Sequence, residues 1–284
     1  MLDIQLSCIP AFSAIYYALL QSSYEFSQIE RDEETCLALR RFADSNQSFP
    51  YFSQVWQPGC KVYPYWPRAA LLETASLFIG TNGKFHQIES LRKLICSFTN
   101  ISDSDRDEGF WQWLMDFPAA LSNVQNSNGF QAYFHWEQGW LQAQSLHHMA
   151  DLATIQNAFT AIQNVCGSIL IPKIEIVINP VKCVYSADYH RIDRRFIFSS
   201  GRLSASSVIH ESLHSIIHPY ILQYSEQIIC RRPHDKSIDA SYYLDGKPEG
   251  YLNAFEEIVV RKMTSDLMTG RSKKIEAYIS DLLS

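Results

Sequence analysis

The chain has 284 residues, which is enough for one large domain or two small ones, and 46% of them are hydrophobic. That fraction supports a buried core and excludes a disordered chain. The formal net charge of −6 argues against a broad nucleic-acid-binding surface, and no apolar run approaches the roughly 18 residues of a membrane helix. We therefore expect neither nucleic acid nor a membrane as a partner.

The seven cysteines are widely spaced, and no two of them form a C-x-x-C motif. This pattern is typical of reduced thiols and argues against both a disulfide framework and a cysteine-based zinc site. The first residues include an aspartate and lack the basic stretch of a signal peptide. The sequence thus predicts a cytoplasmic protein.

Helical periodicity dominates the first 166 residues, after a short alternation at Leu2–Leu6 that is compatible with a strand. The predicted helices are Phe12–Leu20, Arg31–Ala43, Arg68–Ile79, His86–Thr99, Phe110–Val124 and Phe134–Val165, the last with a break near Gly139 or Asp151. Between them, Ser48–Pro67 is rich in aromatic residues and proline, which predicts an irregular packed loop. We identify no chemistry in this helical, aromatic-rich region (1–166), and its role stays open.

Strand-like runs replace helical periodicity after Cys166, where we place the boundary of a second domain, 167–284. The predicted strands are Ile174–Ile178 and Arg195–Ser199. The next segment, Ser204–His218, has an apolar stripe at helical spacing, which predicts a helix capped by Ser204 or Ser206. Pro219 predicts a bend or a stop at its end. The chain is therefore predicted to be α+β and mostly helical.

The helix predicted at Ser204–His218 contains His210-Glu211-Ser212-Leu213-His214, which is an H-E-x-x-H motif. Two histidines four residues apart lie one turn apart on the same side of a helix, so both imidazoles can bind one metal ion. The glutamate between them lies beside that ion, where its carboxylate can take a proton from an attacking water. We therefore predict His210 and His214 as metal ligands and Glu211 as the catalytic base.

A catalytic zinc site needs a third protein ligand, and a second predicted helix, Tyr251–Met263, supplies candidates. Glu256 and Glu257 lie within it. Glu257 shares a helix face with Arg261, whose guanidinium could hold a ligating carboxylate in place. We prefer Glu257 as the third ligand and keep Glu256 and His218 as alternatives.

The segment between the two predicted helices, Cys230–Gly250, is rich in loop-forming residues. Three of its side chains can donate a hydrogen bond to the oxyanion that forms when water attacks a carbonyl group. These candidate catalytic residues are His234, Tyr242 and Tyr243. The sequence does not select among them.

Strands, an H-E-x-x-H helix and a later helix with a glutamate resemble the zincin metallopeptidases, and among these the gluzincin type. The resemblance covers Lys173–Thr264, about a third of the chain. It implies a zincin-like domain with a small sheet, in which Zn²⁺ is held by His210, His214 and Glu257 and Glu211 is the general base. It also implies that a strand leading into the motif helix lies beside the metal and pairs with an extended peptide. The second helix lacks the Asn-Glu-x-x-Ser-Asp sequence of many gluzincins, which leaves the third ligand open.

These features favour a zinc-dependent metallopeptidase that hydrolyses peptide bonds in a peptide or protein substrate. Two alternatives stay open. One is a catalytically inactive, peptidase-like binding or regulatory protein, and the other is a helical interaction module in which the motif occurs by chance. Neither the substrate preference nor the oligomeric state follows from the sequence.

Overall fold

A computed structural model describes most of the chain. The described residues are 3–22, 26, 31–44, 47–53, 67–97, 108–145, 147–166, 173–184, 186–192 and 195–284. They form a mostly helical structure with a small mixed sheet of four strands, which confirms the predicted fold class, α+β and mostly helical. Of the predicted aromatic loop, residues 54–66 lie outside the described residues, as do residues 167–172 after the predicted domain boundary.

The first part of the chain is helical, as predicted. Its described helices are α1 (Pro10–Leu20), α2 (Glu33–Ala43), α3 (Pro50–Ser53), α4 (Pro67–Ser76), α5 (Ile88–Ser97), α6 (Glu108–Gln125), α7 (Asn128–Gln144) and α8 (Met149–Cys166). Most of them agree with a predicted helix to within a few residues, because their apolar residues recur at helical spacing.

The long helix predicted at 134–165 is two helices, α7 and α8. The described turn residues between them are 145, 147 and 148, a few residues before Asp151, so the break lies near one of its two predicted positions. At the end of α7, the Ser145 hydroxyl donates a hydrogen bond to the Gln142 carbonyl oxygen at 2.7 Å. Such a bond offers the carbonyl an alternative to the helical hydrogen bond and is common where helices end.

The sheet combines strands from distant parts of the chain. They are β1 (Asp3–Leu6), β2 (Lys173–Ile178), β3 (Ala187–Ile192) and β4 (Arg195–Ser200). Their order is β1-β2-β4-β3, in which β1, β2 and β4 are parallel and β3 is antiparallel to β4. Because β4 is paired on both sides, its main chain is not available to a peptide, contrary to the expectation for the strand before the motif helix. Among the described strands, β3 forms the edge on this side of the sheet.

The sheet is followed by helices that include both metal-site candidates. They are α9 (Ala205–Gln223), α10 (Ser225–Arg231), a 3₁₀ helix (Ala240–Gly246), α11 (Pro248–Met268) and α12 (Ile275–Leu283). Ser204 caps α9, as predicted, by accepting a hydrogen bond from the Ser207 N–H. The stop predicted at Pro219 is wrong, because α9 continues beyond it. Proline removes one helical hydrogen bond, but burial of Ile217 and Ile221 on either side holds this turn against the core.

The sheet lies between two groups of helices, each with its own hydrophobic core. On one face, Phe196 and Phe198 pack with buried residues of α8, α9 and α11. On the other face, Val177 and Ile197 contact Phe12 of α1. Helices α1, α4, α5, α6 and α7 share a second large core. None of the described helices combines the length and the apolar character needed to cross a membrane.

A buried polar cluster joins α4 to β3 and β4. The fully buried Glu73 carboxylate accepts hydrogen bonds from the Lys182 ammonium at 3.1 and 3.2 Å and from the Ser199 hydroxyl at 2.8 Å. It also lies 2.7 Å from His190 Nε2, and the Asp188 carboxylate accepts from Lys182 at 2.6 Å. Burial opposes ionisation of Glu73, but Lys182 and His190 hold its pKa well below the usual range. These contacts anchor β3 from the face opposite α9.

The polar cluster explains why no strand is predicted from the sequence at β3. Its inward positions carry Asp188 and His190 instead of hydrophobic residues, so the usual alternation is missing. Their partners, Lys182 and Glu73, lie elsewhere in the chain. The division into 1–166 and 167–284 stays a prediction, although the two parts share a sheet and a buried ion-pair cluster.

Candidate metal centre

Helix α9 buries one side and presents the two motif histidines on another. Ile209, Leu213 and Ile217 are buried in the core between the sheet and the helices. His210 and His214 are half-buried, and their rings lie 5.0 Å apart in an edge-to-face arrangement. The helical spacing that places the apolar stripe in the core therefore also brings the two imidazoles together, as predicted.

Helix α11 packs along α9 and brings a carboxylate to the histidines. Phe255, Val259 and Met263 are buried in the shared core and form an apolar stripe along the helix. Glu257 lies beside this stripe, is only 2% exposed, and has one carboxylate oxygen close to both imidazoles. Two helices that were predicted separately thus converge at the preferred set of ligands.

The three candidate ligand atoms form a compact triangle. His210 Nε2 and His214 Nε2 lie 3.3 Å apart, and Glu257 Oε2 lies 3.5 Å and 3.3 Å from them. A tetrahedral ion with ligand bonds of about 2.0–2.1 Å separates its ligands by about 3.3–3.4 Å, so the triangle fits Zn²⁺. Glu257 Oε2 is also buried without a hydrogen-bond partner among the described residues, which is unfavourable unless a cation meets it. The donors and their spacing therefore fit a metal ion.

Arg261 holds the second oxygen of Glu257, as expected from their spacing along α11. Arg261 Nε donates to Glu257 Oε1 at 2.6 Å, and the same guanidinium donates to the Ser237 carbonyl oxygen at 3.0 Å. Burial opposes ionisation of Glu257, but the approach of His210 and His214 outweighs it and holds the pKa well below the usual range. The carboxylate is thus in the anionic form that binds metal.

Glu256, the alternative third ligand, lies on the other side of His214. Its Oε1 is 2.8 Å from His214 Nδ1, and its Oε2 is 2.7 Å from His218 Nδ1. A carboxylate at Nδ1 selects the tautomer that leaves Nε2 free for a metal. Burial opposes the protonated form of His214, but Glu256 and Glu257 raise its pKa to about 10, so a metal ion would bind at Nε2 in exchange for a proton. The structure groups Glu257 with the two motif histidines, whereas Glu256 and His218 lie behind them.

Glu211 lies between the two histidines in the chain and is half-buried. Burial raises the pKa of its carboxyl group to about 7, while His214 and His210 act in the opposite direction. A carboxyl group with a pKa near neutrality can both take up and release a proton. The surroundings of Glu211 are thus compatible with the predicted base, whose role stays a prediction.

The three predicted oxyanion donors differ in their surroundings. Tyr243 is buried, its hydroxyl oxygen accepts a hydrogen bond from the Asp235 N–H at 2.8 Å, and its ring stacks on His234 at 4.7 Å. Tyr242 is 38% exposed, and partial burial together with the charge of Glu257 raises its pKa and keeps its hydroxyl protonated. Tyr242 therefore lies in the field of the metal-site carboxylate, while Tyr243 and His234 pack on each other.

A further tyrosine near the centre is not predicted from the sequence. Tyr189 of β3 stacks on Phe196 of β4 at 5.7 Å, on the sheet face that packs against α9. Burial and the charges of Glu256 and Glu211 raise its pKa to about 12. No local sequence signal marks Tyr189, because β3 itself lacks the pattern of a strand.

Comparisons with known proteins return no match. No family model, no curated protein and no solved structure corresponds to this chain. The interpretation of the centre therefore depends on its own geometry and chemistry.

Proposed function

We propose that this protein is a zinc-dependent metallopeptidase that hydrolyses peptide bonds. The observation that supports this proposal is the triangle of His210 Nε2, His214 Nε2 and Glu257 Oε2, whose sides match the ligand spacing of tetrahedral Zn²⁺. Three protein ligands leave a fourth position for water or substrate, which distinguishes catalytic zinc sites from structural ones. Glu211, next to His210 in the chain, supplies the base that hydrolysis requires.

Bound zinc would supply Lewis acidity to the scissile carbonyl group and to a water molecule. Glu211 takes a proton from that water as the water oxygen forms a bond to the carbonyl carbon. The same carboxyl group then delivers that proton to the amide nitrogen as the C–N bond breaks, which yields a carboxylic acid and an amine. The acid then ionises and the amine takes up a proton. Tyr242 donates a hydrogen bond from its hydroxyl group to the oxyanion that forms between these two steps. Arg261 holds the Glu257 carboxylate throughout.

An extended peptide suits the free edge of β3. Among the described strands, β3 has β4 as its one neighbour, so its outer main-chain groups are available to a further strand. β3 also contacts α9, so a peptide paired with this edge would pass close to the motif helix. Tyr189, exposed by 38%, would contact a side chain of that peptide. These features favour an unstructured segment of a protein as the substrate.

Metal content and cleavage together test the proposal. Wild type purified without a His tag is expected to hold about one zinc ion per chain by mass spectrometry, and His210→Ala is expected to hold little. Glu211→Gln should keep the zinc and lose cleavage of fluorescently labelled casein. His147→Ala, which removes an exposed histidine from another part of the chain, is the matched control and should behave as wild type.

Two results would contradict the proposal, and they point to different alternatives. Zinc in the wild type without cleavage of any unfolded protein would favour a peptidase-like binding protein. No zinc in the wild type, even after zinc is offered, would mean that the H-E-x-x-H motif is accidental.

A further inference from the structure

We infer that His218 is a positioning residue for the metal centre and that it acts on His214 through Glu256. This inference rests on the proposed function and extends it to a residue outside the set of ligands. His218 lies one turn after His214 on α9, and its side chain is 58% exposed. An exposed histidine at this position would ordinarily be assigned no role.

The Glu256 carboxylate lies between the two histidines and engages both with good geometry. Its Oε1 is 2.8 Å from His214 Nδ1, and its Oε2 is 2.7 Å from His218 Nδ1. Since a carboxylate can only accept, each imidazole presents an N–H at Nδ1. Both bonds are charge-assisted because the acceptor is a carboxylate, and the bond to His214 is partly buried, whereas the bond to His218 lies at the surface.

These two bonds tie successive turns of α9 to a single residue of α11. The same two helices carry all three candidate ligands, and Glu257 directly follows Glu256 in the chain. The spacing of α9 and α11 therefore sets the distances from Glu257 Oε2 to the two imidazoles. Zinc ligands must lie within about 0.2 Å of their ideal distances, so a small shift between the helices would weaken metal binding.

The specific contribution of His218 is to order the carboxylate. Without a donor at Oε2, the Glu256 side chain could rotate towards water and release His214 Nδ1. With His218 in place, both oxygens are engaged and the plane of the carboxylate is fixed. His214 then keeps the tautomer and the ring orientation that direct Nε2 towards His210 and Glu257.

The zinc dissociation constant, measured by competition with a chromophoric chelator, tests this inference independently of any activity. Glu256→Ala is expected to weaken zinc binding by about 10- to 100-fold, as for other residues that orient a metal ligand. His218→Ala should weaken it by about 2- to 10-fold, the value of one ordering hydrogen bond. His218→Asn should restore most of the affinity, because its amide N–H can take the place of the Nδ1–H. His147→Ala again serves as the control.

A double-mutant cycle separates a positioning role from a general effect on the fold. Adding His218→Ala to Glu256→Ala should cause no further loss of affinity, because His218 acts through that carboxylate. Unchanged affinity in His218→Ala, or losses that multiply in the double variant, would overturn the inference and leave the proposed function intact. A wild type that binds no zinc would overturn the proposed function, and this inference with it.

Discussion

Glu137, on α7, is a carboxyl group that the fold holds in its neutral form. It is completely buried, and burial raises its pKa to about 8 despite a hydrogen bond from the Asn179 amide at 2.8 Å. Burial also raises the pKa values of its neighbours Cys8 and Tyr133. Replacing Glu137 with Gln keeps the shape and the acceptor for Asn179 and removes the ionisation.

The sign of the pH effect follows from the two pKa values. The folded value of about 8 lies above the 4.5 of the unfolded chain, so between them the folded protein binds more protons than the unfolded one. The free energy of unfolding then falls as the pH rises, by at most about 1.4 kcal/mol per pH unit. The contribution of Glu137 to the free energy of unfolding is complete below pH 4.5 and is lost as the pH rises through about 8. Its total is at most about 5 kcal/mol.

Urea unfolding of the wild type and of Glu137→Gln, followed by circular dichroism at several values between about pH 5 and pH 8, measures this effect. We expect the stability of Glu137→Gln relative to the wild type to increase steadily across that range. Glu276→Gln, at an exposed position of α12, is the control and should follow the wild type. Parallel pH profiles for the wild type and Glu137→Gln would refute the assignment of a neutral buried Glu137.

Two further predictions concern residues that hold the framework of the site. Glu73→Gln should lower the free energy of unfolding by about 3–5 kcal/mol, because it leaves the buried Lys182 with less negative charge around it. A loss of less than about 1 kcal/mol, measured by urea unfolding, would contradict this reason. Gly250→Ala should also destabilise, because its Cβ would collide with the backbone of Tyr243, whereas Gly139→Ala in the open part of α7 should stabilise by about 0.5–1 kcal/mol. Equal melting temperatures for the two alanine variants would exclude the collision.

The candidate ligands could be predicted because each of them depends on local spacing. His210 and His214 share a face of α9 through the four-residue interval, and the same interval places Arg261 beside Glu257 on α11. Glu257 was preferred over Glu256 because Arg261 lies one turn away on the same face of the helix and can hold the Glu257 carboxylate in place. Helical periodicity carries this information without knowledge of the tertiary structure.

The remaining parts of the site depend on contacts between distant segments. The bridge from Glu256 to His218 depends on the register of α11 against α9, which neither helix encodes alone. Strand β3 was missed because its inward residues are polar. His190 pairs with Glu73, which precedes it by more than a hundred residues, and Asp188 pairs with Lys182. Tyr189 was missed with it. Tertiary partners of this kind override the local hydrophobic pattern.

A fragment limited to residues 167–284 is expected not to fold, because the helical region before it completes the sheet and its core. β1 is the neighbour of β2, Phe12 covers one face of the sheet, and Glu73 offsets the buried charge of Lys182. Loss of the ion-pair partner and loss of the covering aromatic residue each lower the free energy of unfolding by about 3–5 kcal/mol. Together these losses are comparable to the whole stability of a typical domain. Circular dichroism and zinc binding of the fragment test this expectation against the full chain. A fragment that unfolds cooperatively and binds zinc as tightly as the full chain would show that the helical region is a separate domain. A fragment that fails to fold would show that the helical region belongs to the same folding unit and helps to hold β3 beside α9.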